Sequence, residues 1–369
     1  MNRRTVLATI GIGSMTAGCL RLESGSDPNT PSTDASIELS IEHSFDIDTE
    51  DMWYDGTNYY YSGGNNVGAL IPGEIRWEQE VENISGGRAF ATKDSTTIFG
   101  FKPPNAGSGE GAAEFRAYNS AAGDPLWQYR APEDGVHTHP RGAAIIGDTV
   151  AVGSNRYGSD FDANPLITGI DAESGSVQWE TELGSIGAKY LSGLWVYDDL
   201  ICVGQAGSGV ALLDPATGDI EKHYDSLRTS TTGSTVEGDR FFAASNGALT
   251  TYDLSDGSEN WIGGIEGRSR IEPLIDSTLA IVGTGSGGVF AFDRASGTLQ
   301  WDGSVGGQIN AITSSNDHIW VTSEEGGLVG FTRGDGTVIH RSARDIQDMV
   351  YGDDRLVFGA DETHIATLS

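Results

Sequence analysis

The nonapeptide DRASGTLQW, residues 293–301, recurs along the chain, and its recurrence decides the fold. DAESGSVQW (171–179), DPATGDIEK (214–222) and DLSDGSENW (253–261) align with it without gaps, and TRGDGTVIH (332–340) does so more weakly. Two earlier copies, NSAAGDPLW (119–127) and ALIPGEIRW (69–77), keep the glycine and tryptophan but lose the aspartate. The copies end at residues 77, 127, 179, 222, 261, 301 and 340, so the last four intervals are 43, 39, 40 and 39 residues. A fixed period of this length is the mark of a repeat architecture.

The physics of one unit is legible. Val289–Phe292 reads as a strand, and Asp293 can start a turn by accepting the backbone amides ahead of it. Gly297 is free to take φ > 0 and release the chain into the next strand. Alternation with period two then puts Leu299 and Trp301 on one face, as it does Val177 with Trp179 and Ile75 with Trp77. The ring is suited to wedging between neighbouring sheets. Trp77, Trp127, Trp179, Trp261 and Trp301, with the turn residues Asp171, Asp214, Asp253 and Asp293, are therefore read as structural docking residues. Upstream of the motifs, polar turns precede short β runs: Asp198-Asp199 before LICVGQ (200–205), Asn316-Asp317 before HIWVTS (318–323). Each unit supplies about four short antiparallel strands, one blade of a propeller.

Seven motifs end seven blades. After His340 come three further strands, in DIQDMVYG (345–352), RLVFGA (355–360) and HIATLS (364–369). The alternating segment ASIELSIEHSF (35–45) can supply the missing fourth. The expected fold is an all-β, eight-bladed β-propeller of four-stranded antiparallel blades, closed by strand exchange between the N- and C-termini; seven blades is the alternative.

AFDRASGTLQW (291–301) and GIDAESGSVQW (169–179) closely match the motif A-x-D-x-x-[ST]-G-x-x-x-W, and the chain resembles the pyrroloquinoline-quinone-type repeat propellers over roughly residues 37–369. That family includes quinoprotein dehydrogenases and non-enzymatic propellers such as the lipoprotein of bacterial outer-membrane assembly. For the enzymes the resemblance implies a vicinal cysteine pair beside the quinone. This chain has only Cys19 and Cys202, the second within the strand LICVGQ, where it reads as a buried apolar thiol. No C-x-x-C-H haem site occurs. The resemblance thus implies the fold and speaks against the quinone chemistry, and no cofactor is expected.

The formal charge is 22 − 53 = −31, with four lysines against eighteen arginines. Such a surface excludes nucleic acid as a partner. Self-repulsion of this size is relieved where salt shortens the screening length to about 3 Å, and the composition resembles that of proteins from halophilic archaea. The N-terminus, MNRRTVLATIGIGSMTAGCL, joins Arg3-Arg4 to twelve mostly apolar or small residues, too few to cross about 30 Å of hydrocarbon. It reads as a twin-arginine lipoprotein signal over residues 1–18, with Cys19 as the lipidated mature terminus. Residues 19–36 read as the lipidated cysteine and a flexible tether, and residues 37–369 as the propeller. The expected address is the outer face of the cell membrane.

Two literal motifs carry no chemistry. Gly283–Gly288 spells G-x-G-x-x-G but precedes a strand, so no helix N-terminus is there to hold a pyrophosphate. Asp46, Asp48 and Glu50 begin like a calcium loop but lack its glycine. Function is expected where the repeat is interrupted. The anomalous intervals of 50 and 52 residues come from insertions at 100–115 and 153–165, between the second and third strands of consecutive blades. They share a rim with the loop His137-Thr138-His139-Pro140, read as leading into an innermost strand. A raised lip is expected there, carrying Lys102, His137, His139, Arg156, Tyr157 and Phe161 as the candidate binding face. His137 and His139 are weak metal candidates at i and i+2, needing ligands from other loops.

The expected function is a non-catalytic, lipid-anchored scaffold or ligand-binding subunit, with another envelope protein or a glycan as partner. A quinone-dependent exported dehydrogenase and a sensor or substrate-binding subunit of an envelope complex are the alternatives. Exchanging Cys19 for Ser is expected to move the protein from the membrane to the soluble fraction, while mass spectrometry of the wild type finds a lipidated Cys19 at its N-terminus.

Overall fold

The computed structural model describes residues 37–81, 85–102, 111–132, 137–157, 164–229, 233–359 and 362–368; the signal, Cys19 and the tether lie outside them. Eight antiparallel sheets follow one another as the blades of a propeller. In chain order they occupy residues 51–80, 85–130, 137–182, 191–224, 234–268, 274–304, 309–342 and 348–368. In each of the first seven the innermost strand comes first and the outermost last. The fifth sheet has three strands, because one long strand, Arg240–Asp253, pairs through its first half with Ser234–Glu237 and through its second half with Glu259–Arg268.

Blade 8 is completed as expected. Its strands Asp348–Gly352, Arg355–Gly359 and Thr363–Leu368 receive Leu39–Phe45 as the outermost strand, antiparallel to Thr363–Leu368.

Each motif is a turn that serves two blades. Asp293 Oδ1 accepts the backbone N–H of Ser296 at 2.8 Å and its hydroxyl at 2.7 Å; Asp171 does the same with Ser174 at 2.8 and 2.6 Å. Asp214 and Asp253 likewise cap their own turns. Gly297 follows at φ 71°, and a Cβ there would lie 2.5 Å from the indole of Trp261 in the preceding blade. Glycine is needed twice over, for the left-handed backbone and for the ring that lies against it. The indole N–H then donates to the carbonyl of the residue after the first position of the turn, which is aspartate in blades 4 and 6 and Thr332 in blade 7. Trp261 reaches Arg294 at 3.1 Å, Trp301 Arg333 at 2.8 Å and Trp179 Pro215 at 2.8 Å. Trp77 reaches Ser120 at 3.0 Å and Trp127 Ala172 at 2.9 Å, across turns in which Asn119 and Asp171 cap. The main apolar clusters bridge neighbouring blades, as where Trp179, Ile167 and Leu183 of blade 3 meet Leu194, Ile201 and Val203 of blade 4.

One expectation about this face fails. Trp179 and Trp301 are 9% and 6% exposed, but Val177 and Leu299 are 47% and 45% exposed. A β-bulge separates them: Ile170 pairs with Val177 and Gly169 with Trp179, so Gln178 is the extra residue and the two side chains point to opposite faces. The same register shift precedes Trp77, Trp127 and Trp301.

Blade 4 has no tryptophan at the motif end. Lys222 Nζ donates to Ser255 O at 3.0 Å, and the ring comes from Tyr224, whose hydroxyl donates to Leu254 O at 2.8 Å over Gly257. Trp301→Ala is expected to lower the unfolding free energy by roughly 3–5 kcal/mol. Gly297→Ala is expected to destabilise through the Trp261 overlap, and thermal melts of both variants against wild type measure it.

Candidate functional site

The described edges of the two insertions, residues 100–102, 111–115, 153–157 and 164–165, lie beside the start of blade 3, and residues 103–110 and 158–163 lie outside the described residues. Residues 137–140 are not a loop as the sequence implied. They open the innermost strand, His137–Ile146, and pair with the end of the second strand, Thr149–Tyr157: His137 with Tyr157, His139 with Asn155, Pro140 with Ser154. The insertion lengthened the second strand, and residues 137–140 were recruited to satisfy its backbone groups. Pro140 is accommodated because the ladder shifts register between it and Gly142, leaving Arg141 at a bulge.

Polar contacts tie this hairpin to both neighbours. Thr138, fully buried, accepts the Ala113 N–H at 2.5 Å, and its own N–H donates to Gly111 O at 3.0 Å, which anchors the end of the blade 2 insertion. Asn155, also fully buried, accepts the Leu191 N–H at 2.8 Å where blade 4 begins. The His139 ring stands edge-on to Tyr157 at 5.2 Å, and Tyr157 meets Tyr190 at 6.0 Å. Arg156 pairs with Glu182 at 2.8 Å. Lys102 ends the second strand of blade 2 opposite Ser85. Phe161 lies outside the described residues, and His137 is described through its backbone alone. The structure therefore brings His139 and Tyr157 together on the face toward blade 4, while Arg156, adjacent in the strand, lies on the opposite face beside Glu182. Among the described residues, no group of three or more His, Cys, Asp or Glu side chains is placed to hold a metal ion.

Sequence reading missed Arg141, whose guanidinium donates to the Tyr157 hydroxyl at 3.4 Å and also lines the axial channel. The channel is walled by innermost strands and the residues leading into them. One part, about 770 Å³, is lined by Trp53, Phe90, Arg141, Ser192, Trp195 and Glu272 among others. A second, about 900 Å³, shares most of these residues and extends to Asp348. Trp53 and Phe90 stack at 4.6 Å with an 8° interplanar angle. Glu272 accepts the Trp195 indole N–H at 3.3 Å. Although its side chain is exposed, the surrounding walls raise its pKa, against the hydrogen bonds of Thr235 and Trp195.

Asp348 marks the seam between blades 8 and 1. Its two oxygens accept the N–H groups of Met52 at 2.7 Å and Met349 at 2.8 Å. Enclosure first, then the nearby charge of Asp51, push its carboxyl up to about 7, while the two amides act in the opposite sense. Cys202 is fully buried in the cluster between blades 4 and 5, and burial pushes its thiol up.

Eight blades, five of them docked by a tryptophan laid over a glycine of the next, and closed by strand exchange define a repeat β-propeller. The chain belongs to the family of the outer membrane protein assembly factor BamB, which matches residues 51–263, 116–342 and 264–366. Among solved structures it is similar to BamB from Moraxella catarrhalis, with 18% identity over 89% of this chain and 100% of that one, at a TM-score of 0.66. The computationally designed Ika8 protein is 13% identical over 88% and 98% of the two chains, with a TM-score of 0.66. The quinohemoprotein alcohol dehydrogenase ADHIIG from Pseudomonas putida HK5 is 12% identical over 89% and 76%, with a TM-score of 0.63. Likeness at these identities concerns the fold alone. No curated protein sequence matches the chain.

Because the folded Asp348 holds its proton above the ordinary 3.8, its contribution to stability is present at low pH and is lost as pH rises through about 7. Asp348→Asn removes this term. Across pH 4–8 in urea titrations, the wild type is expected to lose stability relative to the variant, with most of the change complete by about pH 7.

Proposed function

We propose that this protein is a non-catalytic propeller, held at the outer face of the cell membrane by lipid on Cys19, that serves as a protein-interaction scaffold for another envelope protein. The observation that carries the reading is the lengthened hairpin of residues 137–157, braced by Thr138 to blade 2 and by Asn155 to blade 4. A strand pair that outgrows its blade and is locked from both sides presents its side chains in fixed geometry, as a contact surface requires. Membership of a family described as an assembly factor of outer-membrane proteins supports a role in binding envelope proteins.

The fold likeness to a quinohemoprotein alcohol dehydrogenase, together with the stacked Trp53 and Phe90 in the channel, favours a second reading as a quinone-dependent dehydrogenase. The chain offers no vicinal cysteine pair, and its buried Cys202 lies in the core between blades 4 and 5. The residues present therefore do not fit that group, and no chemical step is derived through it.

The test is affinity capture of the full-length, membrane-anchored chain in high salt. A single stoichiometric envelope protein is expected with the wild type and with a control changed on the opposite rim, such as Ser296→Ala. It is expected to be lost with Tyr157→Ala/Arg156→Ala. Capture unaffected by the lip changes would reject this surface, and a visible chromophore in the purified protein would move the reading to the dehydrogenase.

A further inference from the structure

The axial channel holds a set of polar groups that the interaction role does not use, and they are ordered around its wall. Arg141 comes from blade 3, Ser192 from blade 4, Ser234 from blade 5 and Glu272 from the segment entering blade 6, all lining the same cavity of about 770 Å³. The lining also includes a second acid, Glu237, and the stacked rings of Trp53 and Phe90 from blades 1 and 2.

Each polar group is incompletely satisfied. In a chain with 53 acids, Arg141 makes no ion pair among the described residues. Its Nε is enclosed without a hydrogen-bond partner, and its contact to the Tyr157 hydroxyl, at 3.4 Å, is at the end of hydrogen-bonding range. The bulge at Pro140–Gly142 removes Arg141 from the ladder, a device that re-aims a side chain. Glu272 receives neutral donors, Trp195 and Thr235, and makes no ion pair among the described residues. Between them the hydroxyls of Ser192 and Ser234 are enclosed without partners, Ser234 being only 4% exposed. Enclosed polar groups left unmatched cost stability, and groups of this kind are commonly completed by a ligand.

We propose that the channel binds a small organic zwitterion, a free amino acid or a short peptide with both termini charged. Its carboxylate pairs with Arg141, its ammonium with Glu272, and its apolar part lies on Trp53 and Phe90. A guanidinium offers a planar fork suited to a carboxylate, and a carboxylate held only by neutral donors keeps acceptor capacity for an ammonium. A singly charged ligand would leave one wall group unmatched.

The test uses the full-length protein and three probes, leucine, Leu-Gly and Leu-Gly-Gly, in isothermal titration. Each is compared with its C-terminal amide and its N-acetyl form. At least one free probe is expected to bind saturably at one per chain, and either cap is expected to weaken it about tenfold or more. Arg141→Gln is expected to remove the preference for acid over amide while keeping the preference for free amine. Glu272→Gln is expected to do the reverse. Both variants must melt as cooperatively as the wild type. The proposal is overturned if no probe gives saturable heat up to millimolar concentration, if capped and free forms bind alike, or if each variant weakens all forms equally. None of these results depends on the lip having a protein partner.

Discussion

The contact on which the structure depends is an aromatic ring laid over a glycine turn of the next blade, with its polar atom bonded to a carbonyl beside that turn. It joins three requirements in one place. The ring removes apolar surface from water, worth about 25 cal/mol per Å². The indole N–H, which would be costly to bury unpaired, finds an acceptor at 2.8–3.1 Å. The glycine takes a backbone angle that other residues avoid, and its missing Cβ is the space that the ring occupies. Because the contact links blade n to blade n+1 from blade 1 through blade 6, stability accrues between neighbours, as in other repeat proteins.

A ring must also close, and here the contact is modified. The motif of blade 7 ends in His340, whose Nδ1 faces the Ile37 carbonyl at 2.9 Å, while Ile37 N–H donates to Ile339 O at 3.2 Å. In blade 8 the matching position is His43, set beside Gly73 of blade 1 and preceded by the same register shift as the tryptophans. Smaller rings stand where covalent continuity is missing, and hydrogen bonds across the seam supplement them. Tyr59 donates to Gly352 O, the hydroxyls of Thr49 and Thr363 meet, and Asp348 bridges to Met52. The N-terminal strand thus makes the start of the propeller part of the ring closure.

Arg141 connects the blade 3 hairpin to the axial channel. One bulge lets the innermost strand of blade 3 continue into the lip and carries Arg141 to the cavity wall. The lip reading requires a braced hairpin and the channel reading requires unmatched polar groups. Both result from the same interruption of an otherwise regular repeat, whose regular positions are committed to docking.

Blade number, blade order and terminal strand exchange were legible in the sequence, because a 39–43-residue period and the Asp, Gly and Trp positions report contacts local to one turn. The reading failed where a single extra residue changed direction: the bulge before each tryptophan puts Val177 and Leu299 outward, since strict alternation holds only in an uninterrupted ladder. It also failed at residues 137–140, where strand pairing depends on a partner that a distant insertion provides. Tyr224 was hidden by the Lys222 that ends its motif, because the ring comes from two residues further along the strand. By itself the sequence determined the architecture, since each repeat encodes its own turn and its own docking ring. Only the tertiary structure decided that Arg141, Ser192, Ser234 and Glu272 share one cavity, because residues 131 positions apart are brought to the same wall only when the blades close around an axis.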